Sequence, residues 1–290
     1  MIDPRAAALR DRLSGRLIAA TLTPASETGF DEKVFDEYLR SLLADGVEAL
    51  AVAAHTGRGP HLTADVRDHV VRSAVRTGAP VLVGVGGPEA PAQAVRAAEL
   101  GAHGVLVFPP AERAEECHDA IWRAGGLPMI AFDLYLQPYD PGTLAVVLRH
   151  PGVAGLKLAR LHDAIACQTG ITMARDAERL AITGEDRMFG ASLMWGAEAA
   201  LVGLAAAAVH ITGDTLRAWN EDRSADFIAA SARTDAFATV AFAEPVDGYV
   251  QRMQWIAAAE GRIPESFATD PHAPALPEGS RERATAEAGS

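Results

Sequence analysis

The sequence has few cysteines, too little positive charge to balance its acids and no long apolar run. Its two cysteines, Cys117 and Cys167, form no metal-binding or redox spacing, which favours a reduced cytoplasmic protein over a disulfide-stabilised one. A net charge of −12 excludes a general binder of nucleic acids or anionic membranes, because both need a basic surface. Residues 1–15 lack the apolar core of a signal peptide, and the most apolar run, residues 198–213, is too short to span a membrane. We therefore expect a cytoplasmic protein without nucleic-acid or membrane partners.

Lysine is also almost absent, although arginine is not. Of the 26 lysines and arginines, only Lys33 and Lys157 are lysines, so arginine supplies nearly all the surface cations. Lys157 stands inside the apolar stretch GVAGLKLAR, residues 152–160, which has the composition of a buried strand. It is either a structural lysine, paired or reaching solvent, or a nucleophile. Arginine would serve the structural role but cannot form an iminium ion, so we favour the nucleophile.

Short apolar runs alternate with amphipathic, helical stretches along most of the chain. The runs are continuously apolar, as expected of parallel strands covered on both faces, and the stretches between them end at glycines typical of helix C-caps. The predicted strands are residues 16–22, 47–54, 79–86, 104–109, 128–134, 153–158, 179–184 and 200–204. Eight strands, most followed by a helix, predict an α/β fold, the (βα)8 barrel, over residues 1–204. Residues 205–269 are predicted to form additional helices, and residues 270–290, rich in proline, alanine, glycine and charge, a mobile tail.

Burial inside such a barrel would make a lysine reactive. An amine in a narrow apolar cavity loses hydration, which lowers its pKa and leaves more of it neutral. The neutral amine attacks a carbonyl carbon and forms an iminium ion, which assists cleavage of the adjacent C–C bond or loss of water. Alternation along the strand predicts that Val153, Gly155 and Lys157 face the inside of the barrel, with the leucines on either side of Lys157 facing the helices.

Several motifs in consistent order resemble one enzyme family. They are TLTPASETGFDEKVFDEYLRSLLADGVEAL near the N-terminus, HTGRGPHLT, PVLVGVGG, GAHGVLVFPP, GVAGLKLAR and TGEDRM. Their order and spacing are similar to those of the dihydrodipicolinate synthase / N-acetylneuraminate lyase family of class I aldolases. The resemblance implies a cofactor-independent enzyme in which Lys157 forms a Schiff base with a 2-oxo acid. It also implies that the loop containing Thr56 and Gly57 holds the substrate carboxylate and that the protein is a homodimer or homotetramer.

The same motifs depart from the family at the positions that move protons. The first threonine of the family's TTGE loop is His55 here, and its acid is Arg58. Phe132 stands where the family has a catalytic tyrosine, and phenylalanine carries no proton. We predict that Tyr135, or failing that His55, takes over the proton relay, and Asp133 is a further candidate. His55 can serve as a cation or as a general base near pH 7.

Two further family residues are missing. The arginine that grips a second carboxylate in the synthase has no counterpart, Gln137 being the nearest residue. The tyrosine lent across the dimer is replaced by Ala111 or Glu112. These departures argue against dihydrodipicolinate synthesis and against sialic acid as the substrate.

The sequence therefore predicts a lyase whose lysine attacks a small carbonyl substrate. The predicted catalytic residues are Lys157, Tyr135 and His55. The predicted substrate-binding residues are Thr56, Gly57, Arg58, Phe132, Asp133, Gly184 and Glu185. No metal is predicted, because His55 and His61 lack an obvious third ligand. Two alternatives stay open, namely a keto-deoxy sugar acid dehydratase using the same iminium ion and a barrel that binds a small molecule without turnover.

Overall fold

The computed structural model describes residues 1–289 and contains a closed barrel of eight parallel strands. The barrel strands are β1 (Leu17–Ala20), β4 (Ala49–Val52), β5 (Val81–Val85), β6 (Gly104–Val107), β7 (Met129–Leu134), β8 (Val153–Ala159), β9 (Leu180–Thr183) and β10 (Ala199–Val202). Each strand pairs with the next along the chain, and β10 closes the barrel on β1. A small antiparallel pair, β2 (Ala25–Ser26) and β3 (Gly29–Phe30), follows β1 outside the barrel.

Helices surround the barrel and extend beyond it. They are α1 (Pro4–Leu13), α2 (Glu32–Ala44), α3 (Ala64–Arg76), α4 (Ala90–Glu99), α5 (Ala114–Gly125), α6 (Pro141–Arg149), α7 (Ala164–Asp176), α8 (Phe189–Met194), α9 (Val209–Asn220), α10 (Ser224–Ala241), α11 (Tyr249–Ala259) and α12 (Ser280–Ala288). The predicted (βα)8 barrel is confirmed. No helix within residues 1–289 is both long and apolar enough to cross a membrane.

Burial on both sides explains why the strand sequences are continuously apolar. Every residue of all eight barrel strands is buried. One set of side chains packs in the barrel interior, and the alternate set packs against the helices. Helix α1 adds Ala6, Leu9 and Leu13 to the interior set, and the Asp3 amide donates to the Pro151 carbonyl just before β8. Helix α1 therefore covers the N-terminal end of the barrel and leaves the carboxyl end for the site.

The orientation of β8 differs from simple alternation in one respect. The register shifts between the pairs Met129–Val153 and Ile130–Gly155, so an extra residue is accommodated at the start of β8. Val153 consequently packs with the outer cluster and Ala154 with the inner one, so the prediction that Val153 faces inward is wrong. Beyond the irregularity, Lys157 pairs with Phe132, which belongs to the inner cluster, so Lys157 faces inward as predicted.

The C-terminal segment also differs from the expectation of a mobile tail. Helix α12 packs against α10 and α11, and Ser280, Ala284 and Ala288 are buried at intervals of four residues. These small side chains form a narrow stripe that allows close approach of helices but adds little hydrophobicity, so the composition of the segment hides the contact. The Asp270 carboxylate is buried in an ion pair with Arg58, 2.6 Å from a guanidinium nitrogen. Residues 270–289 are therefore part of the packed structure.

Candidate active site

A small cavity opens at the carboxyl end of the barrel, among residues that lie at the end of five of its strands or just after them. Ten residues were predicted to form the site, and six of them line this cavity. These six are His55, Thr56, Phe132, Tyr135, Lys157 and Gly184. Residues from distant parts of the sequence therefore meet around one lysine, at the end of the barrel where sites of this fold are built.

Lys157 is enclosed by apolar neighbours. Its side chain is 5% exposed, and its Nζ lies 4.2 Å from the centroid of the Phe132 ring. A Cβ on Gly184 would lie 2.5 Å from the lysine Cε, so only glycine leaves room for the lysine chain at that position. Burial lowers the pKa of Lys157 from 10.5 to about 8, although the carboxylates of Asp186 and Glu185 act in the opposite direction. The lysine is therefore held as an amine that releases its proton near neutral pH.

Two acidic residues stand behind the lysine, in the turn after β9. Burial raises the pKa of Asp186 to about 6, while the Leu204 amide donates to this carboxylate at 2.8 Å. Burial likewise raises the pKa of Glu185 to about 7, and this carboxylate accepts the amides of Arg160 and Leu161. Asp186 lines the cavity, whereas Glu185 caps the chain after β8 and does not. Asp186 therefore supplies the negative charge that faces the lysine.

A hydrogen-bonded group of three side chains lies on another wall of the cavity. The Tyr249 hydroxyl lies 3.0 Å from His55 Nδ1 and 3.1 Å from Thr56 Oγ1. Burial lowers the pKa of His55, and the positive charges of Lys157 and Arg58 lower it further in the same direction, to about 4. His55 is therefore neutral at pH 7, which corrects its interpretation as a cation and leaves it as a base.

Tyr135 stands at the mouth of the cavity. Its hydroxyl donates to Asp247 Oδ1 at 2.9 Å, and its ring meets that of His55 edge to face, with centroids 6.2 Å apart. Burial and the Asp247 carboxylate both raise the pKa of the tyrosine, so the phenol stays protonated at neutral pH. Tyr135 thus brings a hydroxyl to the rim of the site.

Four predicted residues do not line the cavity. The Asp133 carboxylate accepts from Arg160 Nε at 2.6 Å and from the Tyr139 amide at 2.9 Å, so it fixes the chain after β7. Arg58 points away toward Asp270, and Glu185 is the cap described above. Gly57 keeps the loop close to β1, since a Cβ there would lie 2.8 Å from the Thr21 carbonyl oxygen. All four support the residues that do line the cavity.

Seven lining residues lie outside the predicted set. They are Leu134, Ala159, Leu161, Asp186, Gly203, Phe242 and Tyr249. Asp186 could have been predicted from the sequence, because an acidic residue in the turn after a buried strand of a parallel barrel lies at the carboxyl end of the barrel. Tyr249 and Phe242 carry no comparable signal, since they come from the helices beyond the barrel.

The cavity combines the parts that carbonyl chemistry through a lysine requires. A buried amine with a lowered pKa is available as nucleophile, and an acid, a neutral imidazole and two phenols lie around it. Among the described residues no group of three or more histidine, cysteine, aspartate or glutamate side chains is arranged to hold a metal ion. The arrangement can form an iminium ion at Lys157 and move protons beside it.

Comparison with known proteins agrees with this geometry. Residues 13–283 match the model of the dihydrodipicolinate synthetase family. A 4-hydroxy-tetrahydrodipicolinate synthase of Xanthomonas campestris pv. campestris is 31% identical over 64% of this chain and 66% of its own length. A probable 5-dehydro-4-deoxyglucarate dehydratase of Polaromonas naphthalenivorans is 33% identical over 51% of this chain and 54% of its own length. These alignments span less than two thirds of each relative. The crystal structure of dihydrodipicolinate synthase from Bacillus clausii superposes with a TM-score of 0.85 at 15% identity, covering 97% of this chain and 98% of that one.

Proposed function

Because the chain belongs to the dihydrodipicolinate synthetase family, a family of aldolase-type lyases and related dehydratases, we propose that it is a Schiff-base lyase acting on a 2-oxo acid. The observation that carries the proposal is Lys157, buried in the barrel mouth with its pKa lowered to about 8. About one tenth of the amine is then neutral at pH 7, about 300 times more than at the ordinary pKa of 10.5. The neutral amine attacks the 2-oxo carbon, water leaves, and the iminium ion accepts the electron pair of the breaking C–C bond.

The remaining site residues have proposed roles around that step. The backbone of the loop that contains Thr56 holds the substrate carboxylate, the Thr56 hydroxyl contacts the hydroxyl of the substrate, His55 is the base, and Tyr135 is a second proton donor at the mouth. At pH 7 His55 is neutral and has a lone pair free to accept a proton, although its low pKa makes it a weak base. The positive charge at Lys157 is one cause of that low pKa, so conversion of the iminium ion to the neutral enamine favours protonation of His55. The Phe132 ring keeps water from the Lys157 amine, and this loss of hydration, which favours the neutral amine, outweighs the attraction of the ring face for an ammonium ion.

The charge of the cavity also supports a particular form of the substrate. Arg58 and Arg160, the arginines that flank the site, are paired with the buried carboxylates of Asp270 and Asp133. Among the residues that line the cavity, Lys157 is the one cation at neutral pH. A substrate with a second carboxylate would bring a negative charge that no free arginine meets. We therefore propose a 2-oxo acid whose distal part is uncharged.

The family includes dehydratases, and loss of water through the same iminium ion is the second candidate. The favouring observation is Asp186, because its pKa of about 6 leaves a fraction of the acid protonated near neutral pH, as departure of a hydroxyl group requires.

Both candidate reactions, C–C cleavage and dehydration, can be tested by a screen of possible substrates. The protein is incubated with 4-hydroxy-2-oxo acids that have neutral or carboxylate distal groups, and the products are identified by mass spectrometry. Cleavage gives pyruvate and an aldehyde, whereas dehydration gives one product that is lighter by the mass of water. Lys157→Arg is the control, since it keeps the charge but cannot form the iminium ion. Turnover by Lys157→Arg, or by neither protein, would contradict the proposal.

We also propose a homodimer or homotetramer, in line with the family and with the apolar residues of α8 to α10. Met194 and Ile228 are 62% and 69% exposed on this part of the surface and would be covered in an assembly. Sedimentation at micromolar concentration tests this, and a monomer throughout that range would contradict it.

A further inference from the structure

The Tyr249 hydroxyl is the one group of the cavity that contacts two other candidate proton carriers. It lies 3.0 Å from His55 Nδ1 and 3.1 Å from Thr56 Oγ1. Tyr135, by contrast, donates its proton to Asp247, and Asp186 accepts backbone amides of the chain after β10. The hydrogen-bond partners of those two residues are not proton carriers of the cavity, whereas Tyr249 joins two side chains that line the cavity with the lysine.

The ring of Tyr249 is held firmly. It stacks on Phe242 with centroids 4.5 Å apart and an interplanar angle of 12°, and on His55 with centroids 6.0 Å apart. Gly203 makes room for it, since a Cβ there would lie 3.0 Å from Tyr249 Cε2 and 3.4 Å from Thr56 Oγ1. Tyr249 is 4% exposed. The hydroxyl is thus fixed between its partners by packing and does not depend on the two hydrogen bonds for its position.

The side chains of Thr56, Tyr249 and His55 can form hydrogen bonds that all donate in the same direction. A phenol has one proton to give and lone pairs to accept with, and His55 has one free lone pair when neutral. If His55 carries its proton on Nε2, then Thr56 donates to Tyr249 and Tyr249 donates to His55 Nδ1. Burial raises the pKa of Tyr249, so the phenol gives its proton only as it receives another.

We propose that Tyr249 is the middle group of a proton chain that runs from Thr56 through Tyr249 to His55. The inference deepens the proposed function and rests on it. In the cleavage step, the 4-hydroxyl of the substrate iminium gives its proton to Thr56, Thr56 gives its own to Tyr249, and Tyr249 gives its own to His55 Nδ1. The hydroxyl oxygen becomes the aldehyde carbonyl, the C–C electron pair moves to the iminium nitrogen, and the products are an enamine and an imidazolium. The imidazolium returns its proton along the same chain to the enamine carbon, and hydrolysis then frees pyruvate.

Tyr249 does not touch the reacting atoms in this scheme, so it is a relay and positioning residue. Its role requires that the C-terminal helices complete the site, since Tyr249 is the first residue of α11. A chain that ended at the barrel would lack the connection between His55 and Thr56.

The test uses Tyr249→Phe in the full-length protein, with Tyr139→Phe as the matched control. The Tyr139 hydroxyl is buried, has no hydrogen-bond partner among residues 1–289 and lies outside the cavity, so its loss should leave turnover unchanged. Tyr249→Phe keeps the stacked ring and removes both contacts. We expect kcat to fall roughly 10²-fold or more with KM within about threefold, and borohydride reduction with pyruvate to trap the same adduct at a similar rate. Turnover within threefold of wild type, or loss of trapping together with turnover, would overturn the inference.

Two further measurements keep the test decisive if Tyr249→Phe folds poorly. Thr56→Val and His55→Gln remove the two ends of the chain, and because groups that act as a unit lose their effect together, the Thr56→Val/His55→Gln double variant should be no slower than the slower single variant. The ¹⁵N spectrum of the imidazole should show His55 with an unprotonated Nδ1 in wild type. A protonated Nδ1 would overturn the direction of transfer. The spectrum does not depend on turnover, and an absent wild-type adduct would count against the proposed function and not against the chain.

Discussion

Replacement of Lys157 by methionine is expected to stabilise the fold while it abolishes iminium formation. Lys157 is buried, and its pKa falls from 10.5 to about 8 because the folded protein disfavours the ammonium ion. A tenfold change in proton affinity is worth about 1.4 kcal/mol, so the cost of holding the charge at pH 7 is about 3 kcal/mol. Methionine has a similar length and no charge to bury. The variant also removes the cation that faces Asp186, which offsets part of the gain.

The gain should depend on pH in a defined direction. The unfolded chain keeps the lysine proton up to about pH 10.5, whereas the folded protein releases it near pH 8. The free energy of unfolding of the wild type therefore increases as pH rises from 8 to 10.5. The variant lacks this increase, because methionine does not titrate. The difference between them should shrink from about 3 kcal/mol at pH 7 to about 1 kcal/mol at pH 10.

Urea denaturation followed by circular dichroism at pH 7, 8.5 and 10 measures this difference. Lys33→Met is the matched control, because Lys33 lies on the surface with its side chain 83% exposed, and its change should stay within about 0.5 kcal/mol at each pH. A Lys157→Met protein less stable than wild type at pH 7, or a difference that does not vary with pH, would refute the view that the lysine is held at an energetic cost.

The rate of borohydride trapping with excess pyruvate should rise about tenfold per pH unit and level off above about pH 8, because only the neutral amine of Lys157 attacks; a flat rate between pH 6 and 8 would contradict this. His55→Gln should lower kcat by roughly 10²–10⁴-fold and Tyr135→Phe by less than about tenfold, and steady-state kinetics showing the reverse order would make the tyrosine the relay. Arg58→Ala should lower the free energy of unfolding by roughly 3–5 kcal/mol, since it leaves the buried Asp270 carboxylate without its partner; an unchanged urea midpoint would show that the ion pair contributes nothing.

The strands and the lysine were predictable because their signals are local. A continuous apolar run of five to eight residues indicates a strand that is buried on both faces, at any place in the sequence. A single lysine inside such a run can be recognised without knowledge of the fold. The irregularity at the start of β8 was not predictable, because it depends on how β8 pairs with β7 between Met129 and Ile130. The orientation of Val153 therefore needed the structure, while that of Lys157 did not.

The rest of the site depends on contacts between distant segments. Tyr249 lies 194 residues after His55, and nothing in its own sequence distinguishes it from a tyrosine of the helix core. Asp133 shows the opposite case, since its position at the carboxyl end of β7 indicates a site residue but an ion pair with Arg160 holds its side chain outside the cavity. Which polar residues at a strand end enter the cavity is decided by their ion-pair and hydrogen-bond partners, and these partners come from other loops.

The most direct test of the account is to identify the residue that forms the covalent adduct. Wild-type protein is reduced with borohydride in the presence of pyruvate, and its intact mass and peptide map are compared with those of Lys157→Arg. We predict one reduced adduct per chain, located on Lys157 and absent from both Lys33 and the variant. An adduct on Lys33, or an adduct that persists in Lys157→Arg, would contradict it.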